Sequence, residues 1–194
     1  MTSLLTLGIW LERFVSFFGR LAAWASVPLM LVIIFDVVTR KLNLLQGTAL
    51  QGVVTSTKLQ EAEWHLHTIL FLLCLGWAYF NDAHVRIDLL RDRFGPRTKA
   101  WIEMLGCLLF LVPYATVVAF YSHEFFWRSF IIDEGSAATT GLPNRWAIKF
   151  VLFWAFLLLL LAGISMFLNR LAFLMGHRVP DHHGVDDAPQ PQRE

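Results

Sequence analysis

Charged residues are scarce in this chain of 194 residues. They make up 16% of the sequence, whereas hydrophobic residues make up 56%. A soluble domain carries charges at about a quarter of its positions, so the composition predicts a protein surrounded by lipid. The formal net charge of +1 is too small to favour nucleic acid as a partner. We therefore expect the partners to lie in the membrane or beside it.

Cysteine is scarce as well, with only Cys74 and Cys107 in the whole sequence. The two are far apart, and each lies within an apolar run, which favours packing over a disulfide or a zinc site. The sequence contains neither a G-x-x-x-x-G-K-[ST] motif nor a G-x-S-x-G motif, so it does not support ATP hydrolysis or serine-based catalysis. We predict a protein that is not an enzyme.

Long apolar runs are abundant. A helix needs roughly 20 residues to cross a hydrocarbon core of about 30 Å, and four runs approach or reach that length. They predict transmembrane helices at about 21–38, 64–80, 101–121 and 148–168. The expected fold is an all-α integral membrane protein with a single four-helix domain over residues 1–175. The polar, proline-containing segment 176–194 predicts a disordered cytoplasmic tail.

The N-terminal segment has a helical pattern of its own. Its apolar residues recur at helical spacing and its polar residues fall on the opposite side. The apolar set is Leu4, Leu7, Leu11, Phe14 and Phe18, and the polar set is Thr6, Arg13, Ser16 and Arg20. The charged residues before the first apolar run argue against a cleaved secretory signal. We expect an amphipathic helix that lies in the membrane interface or continues into the first span.

Lysine and arginine are distributed unevenly among the segments outside the spans. Of 16 such residues, ten lie in the N-terminal segment, the loop between the second and third spans, and the tail. The positive-inside rule therefore predicts that both termini are cytoplasmic. The loop between the second and third spans is then cytoplasmic too. There His84, Arg86 and Asp88 alternate with apolar residues and predict a turn that contacts lipid phosphates or a partner subunit.

The heptapeptide EAEWHLH concentrates carboxylates and histidines at the start of the second span. On a helix, Glu61 and His65 share one face, Glu63 and His67 share another, and the two faces point in nearly opposite directions. The four side chains therefore cannot converge on one metal ion, and the histidine spacing differs from the helical zinc signature. We interpret the segment as the outer edge of a membrane helix, with Trp64 at the level of the lipid headgroups.

Asn144 is placed to cap the last helix, and Asp36 and Arg40, one turn apart, predict a structural ion pair. Charges within the spans lie near their ends, whereas secondary transporters usually form their sites from broken helices in two repeats. We therefore expect an accessory, anchor or scaffold subunit. One alternative is a redox-complex anchor in which His67 and His123, predicted on the same side of the membrane, hold a haem.

Four motifs, read in order, resemble a known family. QEAEWHLH, HVRID, PRTKAWIEMLG and RSFIIDEGS followed by GLPNRWAIK are similar to motifs of the small Q-type membrane subunit of tripartite ATP-independent periplasmic (TRAP) transporters. The resemblance extends from about Leu59 to Ser165, and the EWHLH form is most similar to the mannitol/chloroaromatic-type branch. The matching positions are Glu63, Trp64, His84, Arg86, Asp88, Ser129, Glu134, Ser136, Leu142, Pro143, Trp146 and Lys149.

This resemblance implies a multi-pass protein of the bacterial inner membrane without a cofactor. It also implies a large permease subunit as partner, a periplasmic binding protein that delivers an organic acid, and a sodium gradient that drives uptake while the small subunit braces the large one. Candidate contacts with the large subunit or lipid are Glu63, Trp64, His67, His84, Arg86 and Asp88. Candidate contacts on the periplasmic side are Ser129, Glu134, Ser136, Pro143, Trp146 and Lys149.

Overall fold

All regular secondary structure in the described residues is α-helical or π-helical. The computed structural model of the protein describes residues 2–44, 47–48, 53–81 and 94–177. The helices are α1 (Thr2–Ala23), α2 (Ser26–Lys41), α3 (Ser56–Phe80), α4 (Pro96–Gly106), α5 (Val112–Ile131) and α6 (Trp146–Leu174). A π-helical segment, Cys107–Leu111, joins α4 to α5. The predicted all-α class is confirmed for this part of the chain.

Three helical stretches in the described part of the chain are long and apolar enough to cross a membrane. They are Leu5–Lys41, Pro96–Ile131 and Trp146–Leu174. The predicted second span lies in α3, which is not one of the three because Glu63 and two histidines lower the hydropathy of its N-terminal half. Length and composition therefore identify three candidate spans among the described residues, and the fourth remains a prediction.

The predicted first span, 21–38, contains a break between two helices. The chain makes a turn at Trp24 and Ala25, after which α2 begins. Pro28 explains the break, because proline has no amide hydrogen to donate to the Trp24 carbonyl four residues earlier. Val27 donates to that carbonyl instead, at 3.2 Å. The two helices nevertheless form a nearly continuous apolar stretch, so α1 leads directly into α2.

The core follows the length of α6, which packs against α1, α3, α4 and α5. One cluster of buried side chains joins Val15 of α1 and Phe80 of α3 to Leu158 and Ala162 of α6. A second cluster joins α5 to α6 through Ala115, Ala119, Phe156 and Leu159. The central helix thus makes the described part of the chain a closely packed bundle.

α1 is a member of this bundle and packs along both α3 and α6. Its buried face consists mainly of small residues and comprises Gly8, Leu11, Val15, Gly19 and Ala22. Of the predicted apolar set, Phe14 and Phe18 pack against the core, but Leu7 is 47% exposed. The side chain of Leu4 lies outside the described part. Of the two predicted placements, the packing fits a helix that continues into the first span.

Polar contacts connect the helices at the end of the bundle where α6 finishes. Arg170 of α6 forms an ion pair with Glu103 of α4, with 2.7 Å between Nε and Oε2. Asn169 donates a hydrogen bond from Nδ2 to Oε2 of Glu12 in α1, at 3.4 Å. These contacts lie at the opposite end of α6 from its connection to α5.

Candidate functional site

The loop between α5 and α6, residues 132–145, begins with a Schellman motif. The amide of Glu134 donates to the Ser129 carbonyl at 3.0 Å, and the amide of Asp133 donates to the Phe130 carbonyl at 3.2 Å. Asp133 has a φ of 48°, the left-handed conformation that this motif requires. The motif ends α5 and turns the chain back toward the bundle.

Hydrogen bonds within the loop close it on itself. The amide of Ser136 donates to the Leu142 carbonyl at 3.1 Å, and the amide of Arg145 donates to the Glu134 carbonyl at 2.7 Å. The Ser136 hydroxyl accepts a third bond from the amide of Ala138, also at 3.1 Å. The loop therefore has a defined shape of its own between the two helices.

Glu61 of α3 holds this loop, and we call the contact the Glu61 site. Its carboxylate accepts a hydrogen bond from the amide of Leu142 at 2.5 Å and another from the hydroxyl of Ser136. Gly141 makes the approach possible, because a Cβ at this position would lie 2.3 Å from Cβ of Ser136 and 2.7 Å from Oε2 of Glu61. The Glu61 site comprises Glu61, Ser136, Gly141 and Leu142.

These two hydrogen bonds lower the pKa of Glu61 below its ordinary value. The amide of Leu142 contributes most and the Ser136 hydroxyl comes next, while burial acts in the opposite direction. The charges of Arg145 and His65 lower the pKa further. Both donors stabilise the ionised carboxylate, so Glu61 is a fixed anion that holds the loop.

A second carboxylate joins the loop to α6. Glu134 forms an ion pair with Lys149, and the ammonium of Lys149 is the largest cause that lowers the pKa of Glu134. The same ammonium lies 3.8 Å from the ring centroid of Phe125 in α5. Trp146 packs edge-on against Phe130, with 5.3 Å between ring centroids. The start of α6 is thus fixed to the end of α5.

The N-terminus of α3 adds contacts to the loop and to α2. The Thr55 hydroxyl accepts from the amide of Lys58 at 3.3 Å, which caps α3, and donates to the Thr140 carbonyl at 3.2 Å. Ser56 donates to Oδ1 of the buried Asp36 at 3.0 Å. Oδ2 of Asp36 lies 3.2 Å from Nη2 of Arg40, so the predicted ion pair is confirmed.

The structure brings most of the predicted periplasmic-side residues together. Ser129 is buried at the end of α5, and Ser136 belongs to the Glu61 site. Trp146 and Lys149 follow the loop and contact α5, while Pro143 is exposed on the loop. A role for these residues in partner contact remains a prediction.

The predicted contacts with the large subunit or lipid are only partly described. His84, Arg86 and Asp88 lie outside the described residues. Trp64 is 37% exposed, with the guanidinium of Arg145 at 5.9 Å from its ring centroid, and His67 is exposed. One carboxylate oxygen of Glu63 is buried without a hydrogen-bond partner in the described residues.

Sequence reasoning missed Glu61 as a site residue and assigned Asn144 wrongly. On helical geometry Glu61 shares a face with His65, but its carboxylate bonds to the loop, and Nδ1 of His65 lies 2.5 Å from the Glu61 carbonyl. Asn144 has a φ of 59°, and the N-cap of α6 is Arg145, without a side-chain cap hydrogen bond. Gly135 and Gly141, which directly precede Ser136 and Leu142 in the sequence, were the available signal for a tight loop.

Neither predicted haem ligand is buried inside the bundle. His67 and His123 are both exposed, and the ring of His123 packs against Phe153, with 5.3 Å between centroids. Within the described residues there is no group of three or more histidine, cysteine, aspartate or glutamate residues able to hold a metal ion. The polar groups that do converge join the loop to the helices, so they stabilise the fold.

Comparison with known proteins identifies one family. The family model described as "Tripartite ATP-independent periplasmic transporters, DctQ component" matches residues 29–173, well over half of the chain. The matched range begins in α2 and ends near the end of α6, so it includes the Glu61 site. Neither the curated proteins nor the solved structures gave a match.

Proposed function

The chain belongs to the DctQ component family of TRAP transporters, and we propose that, as their small permease subunit, it braces the large permease subunit during transport. We further propose that a sodium gradient drives the uptake and that a periplasmic binding protein delivers an organic acid. Membership of this family places the chain in a membrane and gives it a part in transport. The driving ion, the solute and the bracing role are the proposed part.

The continuous packing along α6 is the observation that supports a bracing role. This helix of 29 residues contacts four other helices, and the loop before it is held by Glu61 and by the ion pair between Glu134 and Lys149. Such a bundle resists deformation, because a close-packed interior cannot change shape continuously. A subunit of this kind suits a fixed support beside a moving partner.

We propose that the part of α3 from about 64 to 80 is the fourth span, in addition to the three candidate stretches. Its N-terminal residue Ser56 bonds to Asp36 near the end of α2, and its last residue Phe80 packs in the cluster that contains Val15 of α1. α3 therefore runs beside the stretch formed by α1 and α2, from the level of Asp36 to that of Val15. A helix packed along a membrane span over this length crosses the same bilayer.

Both termini are proposed to face the cytoplasm of a bacterial inner membrane, with the loop between α5 and α6 in the periplasm. Cysteine labelling tests this orientation in a background without Cys74 and Cys107. A membrane-impermeant maleimide added to spheroplasts should label Thr139→Cys in the exposed loop, whereas His177→Cys should react only after lysis. The reverse pattern would show that the protein is inserted the other way round.

The predicted contact residues take their roles from this orientation. We propose that the loop fixed by Ser136, Glu134 and Lys149, with Pro143 exposed on it, faces the docked binding protein. Glu63, Trp64 and His67 are proposed to lie at the same membrane surface, against the large subunit or lipid. His84, Arg86 and Asp88 are proposed to contact the partner or lipid phosphates on the cytoplasmic side. Membership of the mannitol/chloroaromatic-type branch is also a proposal.

Copurification from native membranes tests the proposed function. The tagged chain should recover a large multi-span permease, and deletion of the chain should abolish uptake of the solute. Recovery of a redox enzyme, together with a haem absorption band, would instead support the haem-anchor alternative through His67 and His123. In the residues that the structure describes, no observation favours that alternative.

A further inference from the structure

The outward face of α1 carries an unusual pattern of side chains. Trp10, Arg13, Phe17, Arg20 and Trp24 are all exposed and follow one another at spacings of three and four residues. On a helix this spacing places them in one stripe, and the stripe lies opposite the buried face of α1. Two arginines thus alternate with three aromatic residues on one side of a helix that is otherwise packed in the bundle.

Contacts between α1 and α6 fix the level of Arg13. The carbonyl of Gly8 accepts a hydrogen bond from the Ser165 hydroxyl at 2.8 Å, and the rings of Phe18 and Trp154 lie 5.7 Å apart. Arg13 lies between Gly8 and Phe18, so it is beside the segment of α6 from 154 to 165. That segment contains no charged residue and belongs to a candidate membrane span. Arg13 therefore lies at membrane depth.

Arg20 lies further along the same apolar region. Its neighbour Gly19 packs against Trp77 of α3, and the thiol of Cys74 approaches the Gly19 carbonyl at 3.4 Å. The stretch of α3 from 68 to 80 contains no charged residue. Both arginines thus extend from the bundle at levels where the helices beside them are apolar, although the predicted spans leave them outside the membrane. Without these two residues, eight lysines and arginines lie on the proposed cytoplasmic side and six on the other, so the predicted orientation keeps its sign.

Neither guanidinium has an acidic partner in the described residues. Arg13 forms no ion pair or hydrogen bond there, and Arg20 donates from Nε only to the carbonyl of Ser16, at 3.3 Å. An arginine at membrane depth almost always faces protein or a water-filled cavity and binds acidic or carbonyl groups, because lipid tails offer it no acceptor. These two guanidinium groups therefore favour a covering surface on α1 that supplies further oxygen acceptors.

We infer that this arginine and aromatic face of α1 is the docking surface for the large permease subunit. The partner would present carboxylate or carbonyl oxygens to Arg13 and Arg20 inside the membrane, and apolar side chains to the aromatic residues between them. Charge complementarity selects a polypeptide over lipid, since phosphate groups lie at the membrane surface and not beside the apolar part of α6. The inference rests on the proposed function and assigns the partner to one face of the bundle.

Photocrosslinking tests the surface directly. A benzophenone amino acid at Phe17 should crosslink the large subunit in native membranes, with a higher yield than the same group at Phe120, which is 67% exposed on α5. The double substitution Arg13→Ala and Arg20→Ala should lower recovery of the large subunit at least about tenfold, because it leaves the partner's acceptors unpaired. Arg128→Ala, which removes an exposed arginine from α5, should leave recovery unchanged.

The possible outcomes separate this inference from the proposed function. If the unmodified chain recovers no large subunit, the proposed function is wrong and the inference with it. If it recovers the large subunit but Phe17 crosslinks only lipid or a second copy of the chain, or no better than Phe120, the inference alone is wrong. The crosslinking arm leaves both arginines in place, so its result does not depend on whether the double variant folds.

Discussion

Replacing Gly19 with alanine should destabilise the bundle, although alanine is the better helix former. A Cβ at this position would lie 2.3 Å from Cβ and 2.9 Å from Cγ of Trp77. The Trp77 Cβ is attached directly to the backbone of α3, so a change of rotamer cannot move it away. Relief requires α1 and α3 to separate, which loosens the contacts of Val15 and Phe80 in the same cluster.

The expected cost of Gly19→Ala is about 2 kcal/mol. Overpacking in a close-packed core costs roughly 1–3 kcal/mol, and the higher helix propensity of alanine offsets up to about 1 kcal/mol of the larger values. A loss of this size lowers the midpoint of thermal unfolding by about 4–8 °C for a chain of this length. The measurement is a thermal unfolding curve of the purified protein in detergent, together with the yield of folded protein.

Gly106→Ala is the matched control. Gly106 ends α4, and a Cβ at this position would meet nothing within 4 Å. The same substitution should therefore raise stability by about 0.5–1 kcal/mol, because alanine restricts the unfolded chain and favours the helix. The close contact between α1 and α3 is disproved if both variants shift the midpoint in the same direction by similar amounts.

The buried glycines of α1 also show what apolar periodicity can and cannot predict in a membrane protein. The pattern of Leu7, Leu11 and Phe14 predicted a helix in α1, and the helix is present, but Leu7 is exposed while Gly8 and Gly19 are buried. In lipid, apolar side chains are equally suited to the outside and the inside, so hydropathy does not identify the packed face. Small residues identify it better, because they allow two backbones to approach each other.

The loop site was predictable only in part. The motifs around Glu134, Ser136 and Lys149 identified this loop through family resemblance, and the structure brings these residues to one end of the bundle. Glu61 was missed because its partner Ser136 is 75 positions away, and periodicity reports only neighbours along one helix. The ion pair of Asp36 and Arg40 was correct because both residues lie on a single helix, one turn apart.

Replacing Glu61 with alanine should release the loop between α5 and α6. The carboxylate accepts hydrogen bonds from the amide of Leu142 and the hydroxyl of Ser136, and both donors lose this partner in Glu61→Ala. Hydrogen bonds to a charged group contribute about 1.5–3 kcal/mol each, and water can replace part of this at a half-buried site. We expect a loss of about 2–3 kcal/mol, or about 5–10 °C in the midpoint of unfolding.

Two further variants separate the carboxylate from its surroundings. Gln60→Ala changes the neighbouring exposed residue. The side-chain amide of Gln60 makes only a long hydrogen bond of 3.5 Å to the hydroxyl of Ser56, so this substitution should shift the midpoint of unfolding little. Glu61→Gln keeps one oxygen but turns an amide group toward the second donor, so its loss of stability should be intermediate. A midpoint for Glu61→Ala equal to that of Gln60→Ala would show that the carboxylate does not hold the loop.

The pH dependence of the Glu61→Ala effect gives a second, independent measurement. The pKa of Glu61 is lowered from its ordinary value of 4.5, chiefly by the amide of Leu142, so the folded state favours the ionised form. The stabilisation is fully present at a pH above 4.5, the ordinary pKa expected in the unfolded chain. It decreases as the pH falls through the lower pKa of the folded state. Glu134, whose pKa is also lowered, loses stabilising energy over acidic pH in both proteins, so only the difference between them reports Glu61.

The difference in unfolding free energy between the unmodified protein and Glu61→Ala should therefore be constant near neutral pH and shrink under acidic conditions. Glu61→Gln should differ from Glu61→Ala by the same amount at every pH, because neither side chain titrates at this position. If acid leaves the difference unchanged, the two hydrogen bonds do not depend on the ionised carboxylate. Because the loop is held by the charge, its release should also appear as faster maleimide labelling of Thr139→Cys in Glu61→Ala at neutral pH.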